Sequence, residues 1–129
     1  MTKFNSAFSG FSVGDIKEAR EFYSQILGLK TELDEMGLEI ELPGGASVFV
    51  YKKDNHTPAT FTVLNFVVEN IDEAMEELSE KGVKFEQYNN PDLPQDEKGV
   101  ARGIAAKMGP DIAWFTDPAG NVLSVLQEK

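Results

Sequence analysis

One helix-start pattern occurs twice, and it limits the fold more than any other feature of this chain. Asp15-Ile16, followed by Glu18 and Ala19, returns as Asn70-Ile71, followed by Glu73 and Ala74, at an offset of 55 residues. In each copy an Asp or Asn stands where an N-cap belongs, and a Glu lies three residues on, as in a capping box. Apolar residues then follow with helical spacing: Ile16, Ala19, Phe22, Tyr23, Ile26 and Leu27 in the first copy, Ile71, Ala74, Met75 and Leu78 in the second. A glycine stops each helix, Gly28 and Gly82, at an offset of 54.

The flanking segments repeat as well. A strand is predicted before each helix, over 4–13 and 61–69. Three strands are predicted after the first helix, over 29–35, 37–42 and 46–52, and three after the second, over 83–88, 111–116 and 121–127. The last two strands of each module are joined by a proline-glycine turn. Asp117-Pro118-Ala119-Gly120-Asn121 has a reduced twin in Leu42-Pro43-Gly44-Gly45, with Pro43 and Gly45 returning as Pro118 and Gly120 at an offset of 75. The chain therefore reads as an α+β protein of two β-α-β-β-β modules, residues 4–52 and 61–128, joined by the polar connector 53–60. Neither module has the material to bury its own helix and sheet, so a single domain spanning 1–129 is expected.

The second module is longer because of an insert, residues 89–103, polar and carrying Pro91 and Pro94. Loops of this length are functional lids or disordered segments. Ile104–Met108 is read as a strand extension, and Gly109-Pro110 as a bend into Asp111. Arg102 and Lys107 are either anion contacts or surface counterions.

The paired modules, the Asp-Ile helix start, Phe22-Tyr23 before Leu27-Gly28-Leu29, and the closing Asp-Pro-x-Gly-Asn turn resemble the glyoxalase/bleomycin resistance/dioxygenase family, the vicinal-oxygen-chelate superfamily. The resemblance covers nearly the whole chain. It implies two curved half-sheets forming one cup-shaped domain, a ligand pocket inside, helices outside, and frequent homodimers. It also implies four metal-ligand positions: one on the first strand of each module, seven residues before the helix-start cap, and one on each last strand, seven residues after the Asp of the closing turn and its repeat counterpart. Those positions hold Phe8 and Val63, and Phe49 and Ser124. Divalent ions are held by imidazole, carboxylate or amide oxygen. Three of the four residues offer no donor and Ser124 only a hydroxyl, so no metal and no cofactor are expected.

Strand alternation then sorts the pocket. If Phe8, Phe49, Val63 and Ser124 point into the cup, so do Gly10, Ser12, Tyr51, Asn65 and Val122, while Leu64, Phe66 and Val68 face the helix. The family's parity adds Ile112 and Trp114. The predicted ligand contacts are Phe8, Phe49, Tyr51, Asn65, Ile112, Trp114 and Ser124. Apolar walls with sparse polar anchors suit a small organic molecule. The alternative is that these aromatics fill the cup as core.

Other chemistry is thinly represented. His56, the only histidine, reads as a solvated connector residue, and Glu39 and Glu41 as an exposed strand face. Cysteine is absent, which excludes disulfides and thiolate catalysis and suits a cytoplasmic protein. The net charge of −10 disfavours nucleic acid and anionic membranes, and no apolar run approaches a bilayer span. The expected function is metal-independent binding of a small organic ligand. The runner-up is a glyoxalase-type lyase, isomerase or dioxygenase using other metal ligands or Glu39 and Glu41 as acid and base.

Overall fold

Asp15 and Asn70 act as the sequence demands. Each has extended backbone, and each turns its side chain onto the helix that follows. Asp15 Oδ1 accepts from the amides of Lys17 and Glu18, at 3.0 and 3.1 Å, and Asn70 Oδ1 accepts from the Glu73 amide at 3.0 Å. The computed structural model describes residues 1–129 and divides into two compact units, Met1–Pro58 and Ala59–Lys129.

The first unit runs β1 (Ser9–Val13), α1 (Ile16–Glu21), β2 (Thr31–Leu33), β3 (Leu38–Glu41) and β4 (Ser47–Lys52). Its sheet has the order β1-β4-β3-β2, with β1 parallel to β4 and the other pairs antiparallel. Val13, Leu38, Ile40, Val48 and Val50 are buried on one face, where Tyr23 is fully buried and Phe11 packs on its ring at 6.1 Å. The helical segment is not uniform. A single π-helical turn, Phe22–Ile26, follows α1, and the Leu29 amide closes on the Tyr23 carbonyl at 3.0 Å across Gly28. The predicted first strand is also too long, because residues 4–8 lie outside β1.

The second unit runs β5 (Thr62–Val67), α2 (Ile71–Glu80), β6 (Ala101–Arg102), α3 (Gly103–Ala106), β7 (Asp111–Thr116) and β8 (Val122–Gln127). Its sheet order, β5-β8-β7-β6, repeats that of the first unit, again with the outer helix-preceding strand parallel to the last. Ala113, Phe115, Leu123 and Val125 are buried on the face that meets Ile71 and Met75 of α2. Gln127 Oε1 ties the start of α2 to the end of β8 by accepting from the Ile71 amide at 3.0 Å.

The two turns confirm the repeat atom by atom. The Leu42 amide donates to the Ala46 carbonyl and the Gly45 amide to the Leu42 carbonyl, at 2.8 and 3.3 Å; the Asp117 amide donates to Asn121 and the Gly120 amide to Asp117, both at 3.0 Å. The turns differ in how they are held. The first relies on consecutive positive φ at Gly44 and Gly45. The second is held by the Asp117 carboxylate, which accepts from the amides of Ala119 and Asn121 and from the Asn121 side chain.

Two predicted strands are absent. Residues 83–88 form no ladder; only the Glu86 amide reaches the Trp114 carbonyl, at 2.8 Å. The reason lies in Gln95, whose Nε2 donates to the Glu86 carbonyl and whose Oε1 accepts from the Tyr88 amide, both at 2.8 Å. A side-chain amide thus satisfies backbone groups that a neighbouring strand would take. The sheet position falls instead to β6, which Arg102 anchors through Asp72, Asp96 and Asp111. The expected extension over 104–108 is α3, ended by Lys107 in a left-handed conformation.

Candidate functional site

In each unit the sheet face away from the helix carries the predicted ligand contacts. On the first unit, register places Phe49 beside Gly10 and Glu39, and Tyr51 beside Ser12. Phe8, Phe49 and Tyr51 form a row, Phe8 edge-on to Phe49 at 6.5 Å and Phe49 stacked with Tyr51 at 6.1 Å. The row is open to solvent at both ends: Phe8 is 71% exposed and Tyr51 39%. Phe8 reaches it from outside β1 rather than from within a strand. The approach of the backbone is close here, since a Cβ on Gly37 would lie 2.7 Å from Phe49 Cζ.

His56 is not a solvated connector residue. It is half-buried, and its Nδ1 lies 2.7 Å from Ser12 Oγ, at the Tyr51 end of the row. A hydroxyl and an imidazole at this distance are hydrogen-bonded, with the donor set by the imidazole tautomer. Glu39 and Glu41 are exposed as expected, with Glu41 in a loose pair with Lys30 at 3.9 Å.

On the second unit, Ser124 is fully buried and donates to Asn65 Oδ1 at 2.5 Å. Trp114 lies opposite Ser124 in register, and Ile112 opposite Leu126, two residues along the same face. Of the predicted contacts, Asn65, Ser124 and Trp114 are thus brought together and Ile112 flanks them. The count that assigned Val63 to this face fails. Thr62 pairs with Val122 and Leu64 with Leu123, so Val63 is the extra residue of a bulge. The bulge moves Thr62 onto the Ser124 face, and its Oγ1 accepts from the Trp114 indole Nε1 at 3.1 Å. Thr62 is a site residue that period-two counting misses.

These donors do not fit a divalent ion. With Val63 displaced, the remaining three positions hold two phenylalanines and the Ser124 hydroxyl; their polar neighbours are Thr62 and Asn65 on the second unit, and on the first the exposed Glu39 carboxylate beside Phe49 and the Ser12–His56 pair. No group of three or more His, Cys, Asp or Glu side chains is placed to hold a metal.

The insert is held by charge. Arg102 donates through Nη2 and Nη1 to Asp72 of α2 at 2.8 and 3.2 Å, and through Nε to Asp96 at 3.0 Å; its Nη1 lies 3.5 Å from Asp111. Lys98 Nζ joins at Asp72 Oδ1, 3.0 Å away. The hydrogen bond from Arg102, then that from Lys98, holds the Asp72 carboxyl down at about 2. Burial works against the charge of Asp96, but donors from the Val100 amide, Arg102 and the Lys98 amide outweigh it and lower its pKa. Asp72 in turn raises the pKa of Arg102. Arg102 is a counterion within the fold, while Lys107 is exposed. Tyr88, at the root of the insert, packs edge-on to Trp114 at 5.7 Å.

The family model of the Glyoxalase/Bleomycin resistance protein/Dioxygenase superfamily matches residues 7–125. Solved structures with the same fold include TnmS3, an antibiotic binding protein from Streptomyces sp. CB03234. It is 23% identical, with TM-score 0.66, over 99% of this chain and all of that one. The fosfomycin resistance protein FosX from Listeria monocytogenes is 12% identical, with TM-score 0.68, over 99% of this chain and 96% of that one. A superfamily member from Sphaerobacter thermophilus DSM 20745 is 24% identical, with TM-score 0.65, over 95% and 98%. No curated protein sequence matches significantly. No helix is long and apolar enough to cross a membrane.

Proposed function

The chain belongs to the glyoxalase/bleomycin resistance protein/dioxygenase superfamily, and from that premise we propose that it binds a small organic molecule without a divalent metal. The observation that carries the proposal is the row Phe8, Phe49 and Tyr51, aromatic surface left open on a sheet face instead of being packed as core. Stacked and edge-on rings with polar groups at one end suit an aromatic ligand carrying few polar substituents. On the second unit the contacts assigned to a ligand are Asn65, Ile112, Trp114 and Ser124, with Thr62 added. Two proteins of the same fold support the reading, one an antibiotic binding protein and the other a fosfomycin resistance protein. The metal-independent part rests on donor chemistry: the family's ligand positions hold phenylalanine and serine, and no three His, Cys, Asp or Glu side chains converge.

The test is thermal denaturation against a panel of aromatic antibiotics and related compounds. Binding to the native state raises the melting temperature with ligand concentration. At least one compound is expected to do so, and Phe49→Ala to abolish the effect while the ligand-free protein still melts cooperatively. A panel with no response, or a response untouched by Phe49→Ala, overturns the proposal. Metal analysis of protein purified without chelator is expected to find no stoichiometric divalent ion; one equivalent lost on Asn65→Ala or Ser124→Ala would contradict the metal-free part. Family membership also leads us to expect a homodimer in sedimentation.

One observation favours a second reading, metal-free acid–base chemistry. The Ser12–His56 pair places a proton acceptor beside the aromatic row, a better candidate than Glu39 or Glu41. A turnover assay on any compound found to bind decides it, with His56→Gln expected to remove turnover and spare binding.

A further inference from the structure

We infer that Tyr88 governs access to the Trp114 face, and that Gln95 and Arg102 are positioning residues that hold it there. Trp114 is only 8% exposed, although it lies on the sheet face opposite the one that buries Ala113 and Phe115 with α2. Tyr88 contributes to that cover: its ring meets the indole edge-to-face at 5.7 Å and 67°. Yet Tyr88 is itself 48% exposed and belongs to no strand. Its place is set from the other end of the insert. Its amide is held by Gln95 Oε1, and Gln95 Nε2 also donates to the Gly99 carbonyl at 2.7 Å. Next to Gln95, the Asp96 carboxylate accepts from the amides of Lys98 and Val100, both at 2.9 Å, and from Arg102. Gln87 Nε2 closes the loop on the Asp96 carbonyl at 2.9 Å. Arg102 then fastens the assembly to α2 through the two-nitrogen contact with Asp72. Hydrogen bonds from Asp72 through Arg102 to Asp96, the peptide link from Asp96 to Gln95, and the bond from the Tyr88 amide to Gln95 therefore connect α2 to the backbone of the residue whose ring covers Trp114.

This arrangement selects for aromatic ligands. Only a ring can replace the edge-to-face contact that Tyr88 gives up when it moves from the indole. The inference deepens the ligand-binding reading and rests on it, but its deciding measurement needs no ligand.

Trp114 is the only tryptophan, so acrylamide quenching of its fluorescence reads the cover directly. Tyr88→Ala is expected to raise the quenching constant at least twofold over wild type. Gln95→Ala and Arg102→Gln are expected to raise it in the same direction, and Arg102→Lys not to restore it, because an ammonium lacks the planar fork that spans Asp72 and Asp96. Gln95→Ala lies wholly within the insert, so it decides the positioning role if Arg102→Gln fails to fold. Wild-type quenching in Tyr88→Ala overturns the cover; wild-type quenching in Gln95→Ala, with Tyr88→Ala raised, overturns the positioning. For the ligand part, the neutral fluorescent probe N-phenyl-1-naphthylamine is compared with a saturated fatty alcohol as its competitor. Tyr88→Ala is expected to reduce the preference for the aromatic probe at least fivefold, and an unchanged preference refutes the selection. A wild type that binds neither probe refutes the ligand-binding reading, while the quenching result still decides the cover and its positioning.

Discussion

Replacing Asp117 tests the closing turn, where the largest single stability effect outside the apolar core is expected. Asp117 is 3% exposed, and its carboxylate accepts from the Ala119 amide at 3.0 Å, the Asn121 amide at 2.9 Å and the Asn121 side-chain amide at 3.0 Å. Bonds to a charged acceptor contribute about 1.5–3 kcal/mol each. They are not additive, and the half-buried Ala119 amide can turn to water, whereas Asn121 is buried. Asp117→Ala is therefore expected to cost about 3–5 kcal/mol, a large part of the ~5–15 kcal/mol that a domain of this kind holds in total. Asp117→Asn keeps an acceptor for the two backbone amides but sets one carboxamide N–H group against another at Asn121, for a cost of about 1–2 kcal/mol. Pro43→Ala, in the twin turn that uses glycines, is the control and is expected to cost under about 0.5 kcal/mol because its site is exposed. Urea unfolding followed by Trp114 fluorescence and by circular dichroism measures all three, with coincidence of the two probes required before a free energy is read. Asp117→Ala within about 1 kcal/mol of wild type would refute the claim that the carboxylate, rather than the backbone, holds this turn.

Three further outcomes follow from the same geometry. Gly37→Ala places a Cβ 2.6 Å from the Val50 carbonyl oxygen and 2.7 Å from Phe49 Cζ, so it is expected to destabilise by about 1–3 kcal/mol and to disturb the ring signals of Phe49 and Tyr51 in NMR spectra. Ser124→Ala removes the donor to Asn65 without opening a large cavity, and is expected to cost about 1 kcal/mol in urea unfolding. Asp72 has a folded pKa of about 2 against an ordinary value of 3.8, so its contribution is complete above about pH 4 and is lost as the pH falls towards 2. The side chain is 44% exposed and water screens part of the effect, so the check is a difference: the urea midpoints of wild type and Asp72→Asn are expected to converge between pH 4 and 2.

What could be read from the chain was whatever its own neighbours determine. The N-caps at Asp15 and Asn70, the glycine stops and the two turns depend on a few adjacent residues, and all stand where the offsets put them. Faces of uninterrupted strands were legible for the same reason: Phe49 with Tyr51 and Asn65 with Ser124 came out on the expected sides. The misses at 83–88 and at His56 need a partner outside the local segment. The segment 83–88, which reads as a strand, is none because Gln95, from the insert, takes its backbone groups. His56 is a bonded residue because β1 brings Ser12 to it, 44 positions away.

The bulge at Val63 is the case with functional weight. Counting back seven residues from Asn70 treats β5 as a regular strand, and under that rule Val63 and Asn65 share a face. One extra residue cancels the rule: Thr62 and Asn65, an odd number apart, now lie together beside Val122 and Ser124. The consequence is chemical as well as geometric. A valine leaves the face and a hydroxyl enters it, positioned to accept the Trp114 indole N–H and fix the ring plane. The second unit's face thus has three neutral polar groups, Thr62, Asn65 and Ser124, of which two are already bonded to each other and the third to the indole. Such a set orients an aromatic wall better than it holds a cation, so the residue that the repeat mislocated strengthens the ligand-binding reading that the repeat first suggested.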